Sequence, residues 1–379
     1  MTTIQVNPVR SAGERRQFLT FSWRIYKGDP LWVAPLLSER AKTIDPKRGL
    51  FFKDSYAELF IAWQDGEPAG TIVCAEDRNA TRARGSGECL VGFFECVDDY
   101  AVAEALFDRA MEWAQEYRLG SLYGTYNLDR EDSRGILIEG RDRPPSSYCG
   151  HNPTYYPAFF ERYGFQKSGG DGLAYAIDIN LDTPEIQHLL RLAEKIQARR
   201  NISVRGGNLK DIDGEIDRVV ELQNRGLAHF PGFTPYTRND IETMILPALD
   251  IIDPELILFA EMDGKVIGWF PGMPNMNEVL IHLNGLRHPW DYLRLLKYSQ
   301  LKPKCLAIKS IIVVPEHWDT GAGVLLFAEM ARRAAARGYQ WADLSLTGED
   351  NPDTFPLAQR MGAKIYKRYR FYRKELETS

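Results

Sequence analysis

The sequence predicts an α/β protein built from two tandem units, and three observations support this. The chain has 379 residues, which is about the length of two ordinary domains. An apolar run followed by Asp-Gly and a further Gly occurs at residues 57–72 and again at 255–270, with the Asp-Gly pairs 198 residues apart. A segment that starts with Asn-Pro and runs into Gly occurs at 152–165 and again at 351–363, 199 residues later. Two matches at nearly one offset indicate a duplicated unit.

Each half of the chain is predicted to contain the same series of elements. The Asp-Gly pairs predict β-hairpins, because a type I′ turn needs positive φ at both central residues. A strand, a long helix and a second strand follow each hairpin. The predicted segments are 88–97, 100–118 and 121–126 in the first half, and 305–314, 323–337 and 339–346 in the second. Spacing of apolar residues at 323–337 places one stripe against a core, and Gly338 is the expected helix C-cap.

Two further segments complete the prediction for the first half of the chain. Residues 128–151 mix Arg, Asp, Gly and Pro, which predicts a loop inserted in the first half. Residues 181–201 have the pattern of an amphipathic helix that ends the first unit. The sequence therefore predicts an N-terminal unit at 1–200 and a C-terminal unit at 201–379.

Composition excludes several classes of protein. The net charge is −5 without a long basic block, which argues against a nucleic-acid partner. The five cysteines form no CxxC pair, so neither a disulfide framework nor a metal site is expected. The N-terminus lacks the apolar segment of a signal peptide, and no run approaches the roughly 18 apolar residues of a membrane span. We therefore expect a cytoplasmic protein without a transmembrane segment.

Residues 311–339 and 349–363 resemble the GNAT superfamily of acyl-CoA N-acyltransferases. The family pattern of Val-x-Pro, a Gly-rich turn and a long helix matches Pro315 and the Gly-Ala-Gly at 321–323. The whole chain resembles a group of bacterial tandem GNAT-like proteins of the YghO type. The stretches that carry this second resemblance are 23–37, 91–95, 232–237 and 366–374. The resemblance implies an α+β fold, in which each unit has a mixed, mainly antiparallel sheet flanked by helices.

The resemblance also implies a binding site for acetyl-CoA or a longer acyl-CoA, used as a co-substrate, in the second unit. The first turn of a helix leaves N–H groups unpaired and carries partial positive charge, which suits a diphosphate. The pantetheine of CoA would pair with the preceding strand. The expected cofactor-binding residues are Ile312, Val313, Val314, Asp319, Thr320, Gly321, Ala322, Gly323, Val324 and Asn351.

Some residues depart from the family pattern at this turn. Trp318 stands where the family has Gln or Arg, Asp319 stands in place of a Gly, and Ala358 stands where a Tyr often acts as general acid. The alternative is therefore a Gly-rich turn that only caps the helix. In the first unit Asp98 and Asp99 precede the matching helix, and their carboxylates would compete with a phosphate. We expect that unit to be degenerate and to bind no CoA.

Acyl transfer to an amine needs a base, and three residues are candidates. Glu316 and His317 follow the strand that would hold the thioester. His282 lies in residues 279–285, which we predict to be a strand lining the same cleft, and imidazole titrates near neutral pH. The alternative for all three is an ordinary surface or core residue. Cys149 and His151 suggest a nucleophile, but the sequence offers no group to orient them.

An aromatic loop is the candidate acceptor site. Phe230, Phe233 and Tyr236 lie between the first two predicted helices of the second unit, a region that contacts the acceptor in GNAT folds. Such a loop would suit a bulky or apolar acceptor, although a packed turn is an equal alternative.

Three functions remain open from the sequence. The first is an acyl-CoA-dependent N-acyltransferase acting on a small-molecule amine, which could be lipid-like. The second is a CoA-independent aminoacyl or peptidyl transferase that uses tRNA, against which the acidic pI near 5.8 counts. The third is a non-catalytic ligand-binding protein. The sequence specifies neither the acceptor, nor the acyl length, nor the oligomeric state.

Overall fold

A computed structural model of the chain describes residues 3–129, 132–230, 233–351, 358 and 361–376. These residues form two mixed sheets with helices packed against them, which confirms the predicted tandem α/β fold. The strands are β1 Ile4–Pro8, β2 Tyr56–Gln64, β3 Glu67–Glu76, β4 Cys89–Cys96, β5 Ser121–Gly124, β6 Ile136–Glu139, β7 Gln166–Lys167, β8 Gly172–Asp178, β9 Ile202–Arg205, β10 Ile257–Met262, β11 Lys265–Pro274, β12 Cys305–Ile308, β13 Ile312–Val313, β14 Trp341–Gly348, β15 Lys364–Arg370 and β16 Tyr372–Glu375.

The helices lie between these strands. The helices are α1 Ala12–Thr20, α2 Ser22–Ile25, α3 Leu37–Thr43, α4 Arg78–Arg84, α5 Tyr100–Glu116, α6 Tyr156–Tyr163, α7 Pro184–Gln197, α8 Ile212–Leu227, α9 Arg238–Ile245, α10 Asn277–Leu280, α11 Asp291–Tyr298 and α12 Ala322–Ala336. Of these, α1, α4, α5, α7 and α9 begin at a side-chain cap. Short 3₁₀ helices occur at Leu50–Lys53, Leu209–Asp211, Leu246–Ala248, Pro254–Leu256, Asn284–Leu286 and Pro315–Thr320.

The first sheet has the strand order β1-β2-β3-β4-β5-β16-β7. Its β4–β5 pair is parallel and the other neighbouring pairs are antiparallel. The second sheet has the order β6-β15-β8-β14-β12-β11-β10-β9, and β13 pairs with β11 outside this path. Here the β12–β14 pair is the parallel one. The two sheets therefore share one plan, with a parallel pair at the centre.

The two sheets exchange strands. β8 comes from the first half of the chain, yet it lies in the second sheet between β14 and β15. β16 comes from the C-terminus, yet it lies in the first sheet between β5 and β7. The division at 200/201 stays a prediction, but each sheet clearly contains a strand from the other half.

Both predicted hairpins form, and the Asp-Gly turns have the expected backbone. Asp65 and Gly66 have φ of 52° and 85°, and Asp263 and Gly264 have φ of 51° and 77°. Positive φ at both central residues matches the right-handed twist of the strands on either side. The hairpins β2–β3 and β10–β11 therefore occupy the same place in the two halves.

Each sheet buries one long helix, and these helices make the two main cores. α5 places Val102, Leu106, Phe107 and Trp113 in the first core. α12 places Leu325, Leu326 and Met330 in the second core, and α7 packs against it with Ile186 and Leu189. The helix predicted at 323–337 is thus confirmed, and it ends before Gly338, whose φ is 83°.

Some predicted elements differ in the structure. The predicted loop at 128–151 contains β6, an edge strand that pairs with β15, because the apolar run at 136–138 fills an open side of the second sheet. The strand predicted at 305–314 breaks into β12 and β13. The first Asn-Pro segment becomes α6 and ends at Gly164, whose φ is 97°. Most of its repeat, at 352–357 and 359–360, lies outside the described residues.

Across the parts of the chain that the structure describes, no helix is both long enough and apolar enough to cross a bilayer.

The exchanged strands predict that the two sheets unfold together. β8 pairs on both sides within the second sheet, so loss of either half removes backbone hydrogen bonds from the other. In urea, the full chain should therefore show one transition, with circular dichroism and tryptophan fluorescence giving coincident curves. Two separated transitions would mean that the exchanged strands do not couple the sheets.

Candidate active site

The second sheet opens where β12 and β14 diverge. They pair in parallel from Cys305 opposite Trp341 to Ile308 opposite Leu344. Beyond that point the chain bends, and β13 pairs with β11 instead. A cavity of about 580 Å³, the small cavity, lies between the two separated arms, residues 308–312 and 344–348. The segment with which the pantetheine of CoA is expected to pair, Ile312 to Val314, begins at this opening.

A buried ion pair lies at the start of this opening. Lys309 Nζ is 2.8 Å from Asp343 Oδ2, and the two side chains are 11% and 0% exposed. Burial acts to lower the pKa of Lys309, but the adjacent carboxylate outweighs it and raises that pKa above its ordinary value. Lys309 therefore stays an ammonium ion and places a fixed positive charge in the wall of the small cavity.

Hydroxyl and thiol groups surround the ion pair. Lys309 Nζ donates to Ser345 Oγ at 2.9 Å and to Ser146 Oγ at 3.1 Å. The Tyr366 hydroxyl donates to Asp343 Oδ1 at 2.7 Å. This network satisfies both charges, as buried charges require. Since Ser146 comes from the first half of the chain, the network also joins the two halves.

Cys149 borders the same network but is not set up as a nucleophile. Its sulfur lies 3.2 Å from Ser345 Oγ, and burial raises the pKa of its thiol. The thiolate is the reactive form of cysteine, so this environment disfavours it. His151 points elsewhere, because its Nε2 lies 2.7 Å from Asp29 Oδ2. The Cys-His pair suggested by the sequence is therefore absent among the described contacts.

A larger cavity of about 1340 Å³ lies between the two halves. Its wall includes Phe93 and Glu95 from the first half and Met276 from the second. The small and large cavities share wall residues, so they adjoin. The shared residues are Asp77, Tyr126, Tyr148, Cys149, Thr234 and Tyr236.

Glu95 is the most strongly perturbed carboxylate in the wall of the large cavity. Burial raises the pKa of Glu95 to about 7, although hydrogen bonds to the carboxylate act in the opposite direction. The Tyr156 hydroxyl donates to Glu95 Oε2 at 2.7 Å, and Ser22 Oγ donates to Oε1 at 3.3 Å. Carboxylates with such a pKa are suited to general base catalysis near neutral pH.

His151 forms a second unusual site in the same wall. Asp29 holds its Nε2, while its buried Nδ1 makes no hydrogen bond within the described residues. Burial lowers the pKa of His151 more than the Asp29 carboxylate raises it, so the ring is neutral at pH 7. A neutral, oriented imidazole can accept a proton.

The candidate phosphate turn is only partly open. Gly321 has φ of 84°, and a Cβ there would lie 2.7 Å from Cδ1 of Ile196 in α7. At Gly323 a Cβ would meet none of the described atoms within 4 Å. The Thr320 hydroxyl accepts from the Ala322 amide at 3.3 Å, and Asp319 is exposed. The turn therefore leaves its Gly323 side accessible to a ligand.

Trp318 makes a hydrogen bond to the backbone of β13, the strand before the turn. Its indole Nε1 donates to the Val313 carbonyl at 2.7 Å. Ile312 lines the small cavity, but the turn at 319–324 does not belong to the described cavity wall. A pantetheine that paired with Val313 would first have to displace Trp318. Asn351 lines the far end of the same cavity.

The three predicted base candidates lie apart from these groups. Glu316 and His317 belong to the 3₁₀ helix after β13, and exposed Glu316 forms an ion pair with Arg225. The prediction that 279–285 is a strand is wrong: this segment forms helical turns, because Asn275 and Met276 start a helix where β11 ends. His282 is exposed there and stacks on Tyr298 at 4.2 Å.

The aromatic loop lies where the sequence predicts it, between α8 and α9. Phe230, Phe233 and Tyr236 all line the small cavity. Asn224 holds the loop in place, because its Oδ1 accepts from the Tyr236 amide at 2.8 Å and its Nδ2 donates to the Tyr236 carbonyl at 2.9 Å. Their role in acceptor binding stays a prediction.

The helix in the first half that corresponds to α12 begins differently. Asp99 caps α5, and its Oδ1 accepts from the Ala101 amide at 3.0 Å. Its other carboxylate oxygen accepts from Gln64 Nε2 at 2.8 Å. A carboxylate thus lies where a diphosphate would bind, as the sequence predicts from Asp98 and Asp99.

Four features of the two cavities were not predicted from the sequence: Lys309, Asp343, Glu95 and the contact between Asp29 and His151. The missed signal is a lone charge inside an apolar strand, as in residues 305–314, 339–346 and 89–97. Charged side chains are almost never fully buried unless they are paired. A single charge in a buried strand therefore indicates a partner from elsewhere in the chain.

Comparison with known proteins shows what the chain is similar to. Residues 222–363 match the acetyltransferase (GNAT) family. The chain is 29% identical over 381 residues to a protein named bacterial ceramide synthase from Caulobacter vibrioides (strain NA1000 / CB15N), with 98% of each chain covered. It is 27% identical over 366 residues to Protein YghO of Escherichia coli (strain K12), covering 95% of this chain and 93% of that protein.

Among solved structures, a tandem GNAT protein from the clavulanic acid biosynthesis pathway has the same fold. It covers 100% of both chains with a TM-score of 0.59 at 15% sequence identity.

Removal of the Lys309 charge should destabilise the fold. Lys309→Met leaves Asp343 buried without its counter-ion, which typically costs about 3–5 kcal/mol. Urea denaturation of the variant should therefore show a midpoint well below that of the wild type. Lys265→Met, at the exposed hairpin turn, is the control and should change stability by less than about 0.5 kcal/mol. Equal midpoints for both variants would contradict the assigned role of the pair.

Proposed function

We propose that this chain, which is similar to the acetyltransferase (GNAT) family over residues 222–363, transfers an acyl group from acyl-CoA to the amine of a long-chain, lipid-like acceptor. The observation that carries this proposal is the pair of adjoining cavities. The small cavity would take the thioester, and the large cavity would take the acceptor. Tyr148 and Cys149, which line both cavities, mark the place of transfer.

The size and chemistry of the large cavity support a lipid-like acceptor. Ligand pockets usually measure about 300–1,000 Å³, and this cavity of about 1340 Å³ exceeds that range. Apolar side chains from both halves line it, including Phe18, Phe51, Leu128, Met244 and Leu280. A ceramide is the N-acyl amide of a long-chain amino alcohol, so the name of the Caulobacter vibrioides relative agrees with an acceptor of this kind.

The small cavity supports binding of the acyl thioester. The diverging strands provide two walls for an extended pantetheine, and the Gly323 side of the turn offers helix amides for a diphosphate. Lys309 places a positive charge at the inner end of the cavity, where negative charge develops on the thioester oxygen and on the leaving sulfur. Ser345 and Asp343 hold that charge in place.

Glu95 is the proposed general base. An alkyl amine is protonated at neutral pH and must lose a proton before it attacks. In the proposed reaction the protonated amine first gives one proton to solvent. The neutral nitrogen then forms a C–N bond with the thioester carbonyl, Glu95 receives the second proton that this nitrogen loses, and the C–S bond breaks. The thiolate of CoA leaves and takes a proton from solvent.

This proposal moves the base from the residues that the sequence favours. Glu316 is exposed and held by Arg225, and its pKa is lowered, first by its own backbone amide and then by Arg225. His317 follows it in the 3₁₀ helix, and His282 is stacked at the surface. Glu95 has both the position in the cavity wall and the pKa that a base requires.

Binding of CoA can be tested at Gly323. Gly323→Glu adds a carboxylate at the first turn of α12 with room for the side chain, so the protein should fold but repel the diphosphate. Isothermal titration should give one CoA site in the wild type and at least about tenfold weaker binding in Gly323→Glu. Gly323→Ala adds no charge and serves as the control. If the wild type does not bind CoA at millimolar concentration, the thioester part of the proposal fails.

The base can be tested through the pH dependence of acyl transfer. With palmitoyl-CoA and a long-chain amino alcohol, kcat/KM of the wild type should show a rising step with its midpoint near pH 7, because Glu95 must lose its proton to act. Glu95→Gln should lower kcat/KM by about 10²–10⁴ and remove this step from the profile. Product is measured by mass spectrometry.

Glu39→Gln is the matched control for this experiment, since Glu39 lines the same cavity. It should keep the wild-type profile. A Glu95→Gln variant with an unchanged rate and profile would exclude Glu95 as the base.

A further inference from the structure

Helix α11 carries an apolar surface that faces solvent. Trp290, Tyr292, Leu293 and Leu296 are 60%, 55%, 68% and 74% exposed, and together they form what we call the α11 face. Single exposed apolar residues are common on proteins, but four within seven residues are a contiguous patch. Such patches mark sites of interaction.

The opposite side of α11 attaches the helix to the protein. Asp291 is fully buried, and Leu295 and Tyr298 are half-buried. Asp291 Oδ2 accepts from the His288 amide at 2.9 Å and from Asn284 Nδ2 at 3.1 Å. At 100° per residue, positions 291, 295 and 298 share one side, and the α11 face lies on the other. The helix is thus fixed with its apolar side outward.

The residues around the α11 face are basic. Between positions 287 and 304 the chain has five Lys or Arg and one acidic residue, Asp291, whose side chain is buried. The five are Arg287, Arg294, Lys297, Lys302 and Lys304. The whole chain, in contrast, has a net charge of −5. A local basic zone on an acidic protein points to an anionic partner.

We propose that the α11 face docks on the surface of an anionic lipid bilayer. Leu293 and Leu296 would enter the region below the headgroups, and Trp290 and Tyr292 would lie at headgroup level, where such rings are favoured. Arg294 and Lys297 would remain with the lipid phosphates. A helix with a broad apolar side and basic flanks lies in the plane of the membrane–water interface. With eight residues, α11 is too short to cross the bilayer.

The position of α11 connects the membrane to the large cavity. α10 and the turns after it lead directly into α11, and Met276, Asn277 and Leu280 of this segment line the cavity. An amine with a long alkyl chain could move from the bilayer into the protein without crossing water. This delivery rests on the proposed function, whereas the docking stands on the α11 face and its charges alone.

Vesicle sedimentation of the full chain, without substrates, tests the docking. The wild type should sediment with vesicles of phosphatidylcholine and phosphatidylglycerol, and several-fold less with phosphatidylcholine alone. The double variant Leu293→Glu, Leu296→Glu should partition at least about tenfold more weakly. Leu209→Glu, at an exposed leucine in the 3₁₀ helix Leu209–Asp211, is the control and should bind like the wild type.

Three outcomes would overturn the docking. In the first, the wild type does not sediment with anionic vesicles. In the second, the double variant partitions as strongly as the wild type. In the third, neither protein binds vesicles, and the wild type is a dimer whereas the double variant is a monomer. The last would assign the α11 face to a second copy of the chain. Because no acyl transfer is measured, failure of the proposed function leaves these readouts unchanged.

Discussion

The exchange of β8 and β16 between the two sheets is the constraint on which the rest of the structure depends. β8 completes the second sheet only if the first half of the chain lies against it, and β16 does the same for the first sheet. The halves are thereby held face to face, and the two cavities form between them. Ser146, from the first half, can then reach Asp343 at 2.5 Å, from the second. A site between tandem units needs such a fixed relation, since domains joined by a linker alone move freely.

Buried charge follows from this arrangement. Lys309 and Asp343 lie where parallel strands separate, so neither a neighbouring strand nor solvent fully satisfies them, and they bind each other and the hydroxyls of both halves. Glu95 lies at the end of β4 in the first half, where burial instead raises the pKa of the carboxylate. The wall of the small cavity therefore contains a permanent cation, Lys309, and the wall of the large cavity contains a carboxylate, Glu95, whose pKa is raised to about 7.

The repeat, the hairpins and the long helices could be predicted from the sequence because each depends on local residues. Asp65-Gly66 and Asp263-Gly264 specify their turns without help from the rest of the chain. The strand exchange could not be predicted, since residues 172–178 have the same pattern whichever sheet they join. For the candidate site, local patterns place the strand arms and the aromatic loop that line the small cavity, and the roles of these residues stay predictions. The charged groups there have partners about 200 residues away, as Asp343 has in Ser146. Such pairs cannot be predicted from the pattern of neighbouring residues.

Duplication allows the two copies to take different tasks, and the helix N-termini indicate how they differ. Asp99 satisfies amides at the start of α5, so a diphosphate could bind there only by displacing a carboxylate. At α12 the N-cap is Gly321, which carries no carboxylate, and Gly323 in the first turn has open space around it. In the proposed function the second copy therefore binds the thioester, and the first copy, freed from that role, contributes Glu95 and much of the wall of the acceptor cavity. The segment from β11 to α11 then extends the acceptor side to the protein surface, where an apolar amine would have to enter.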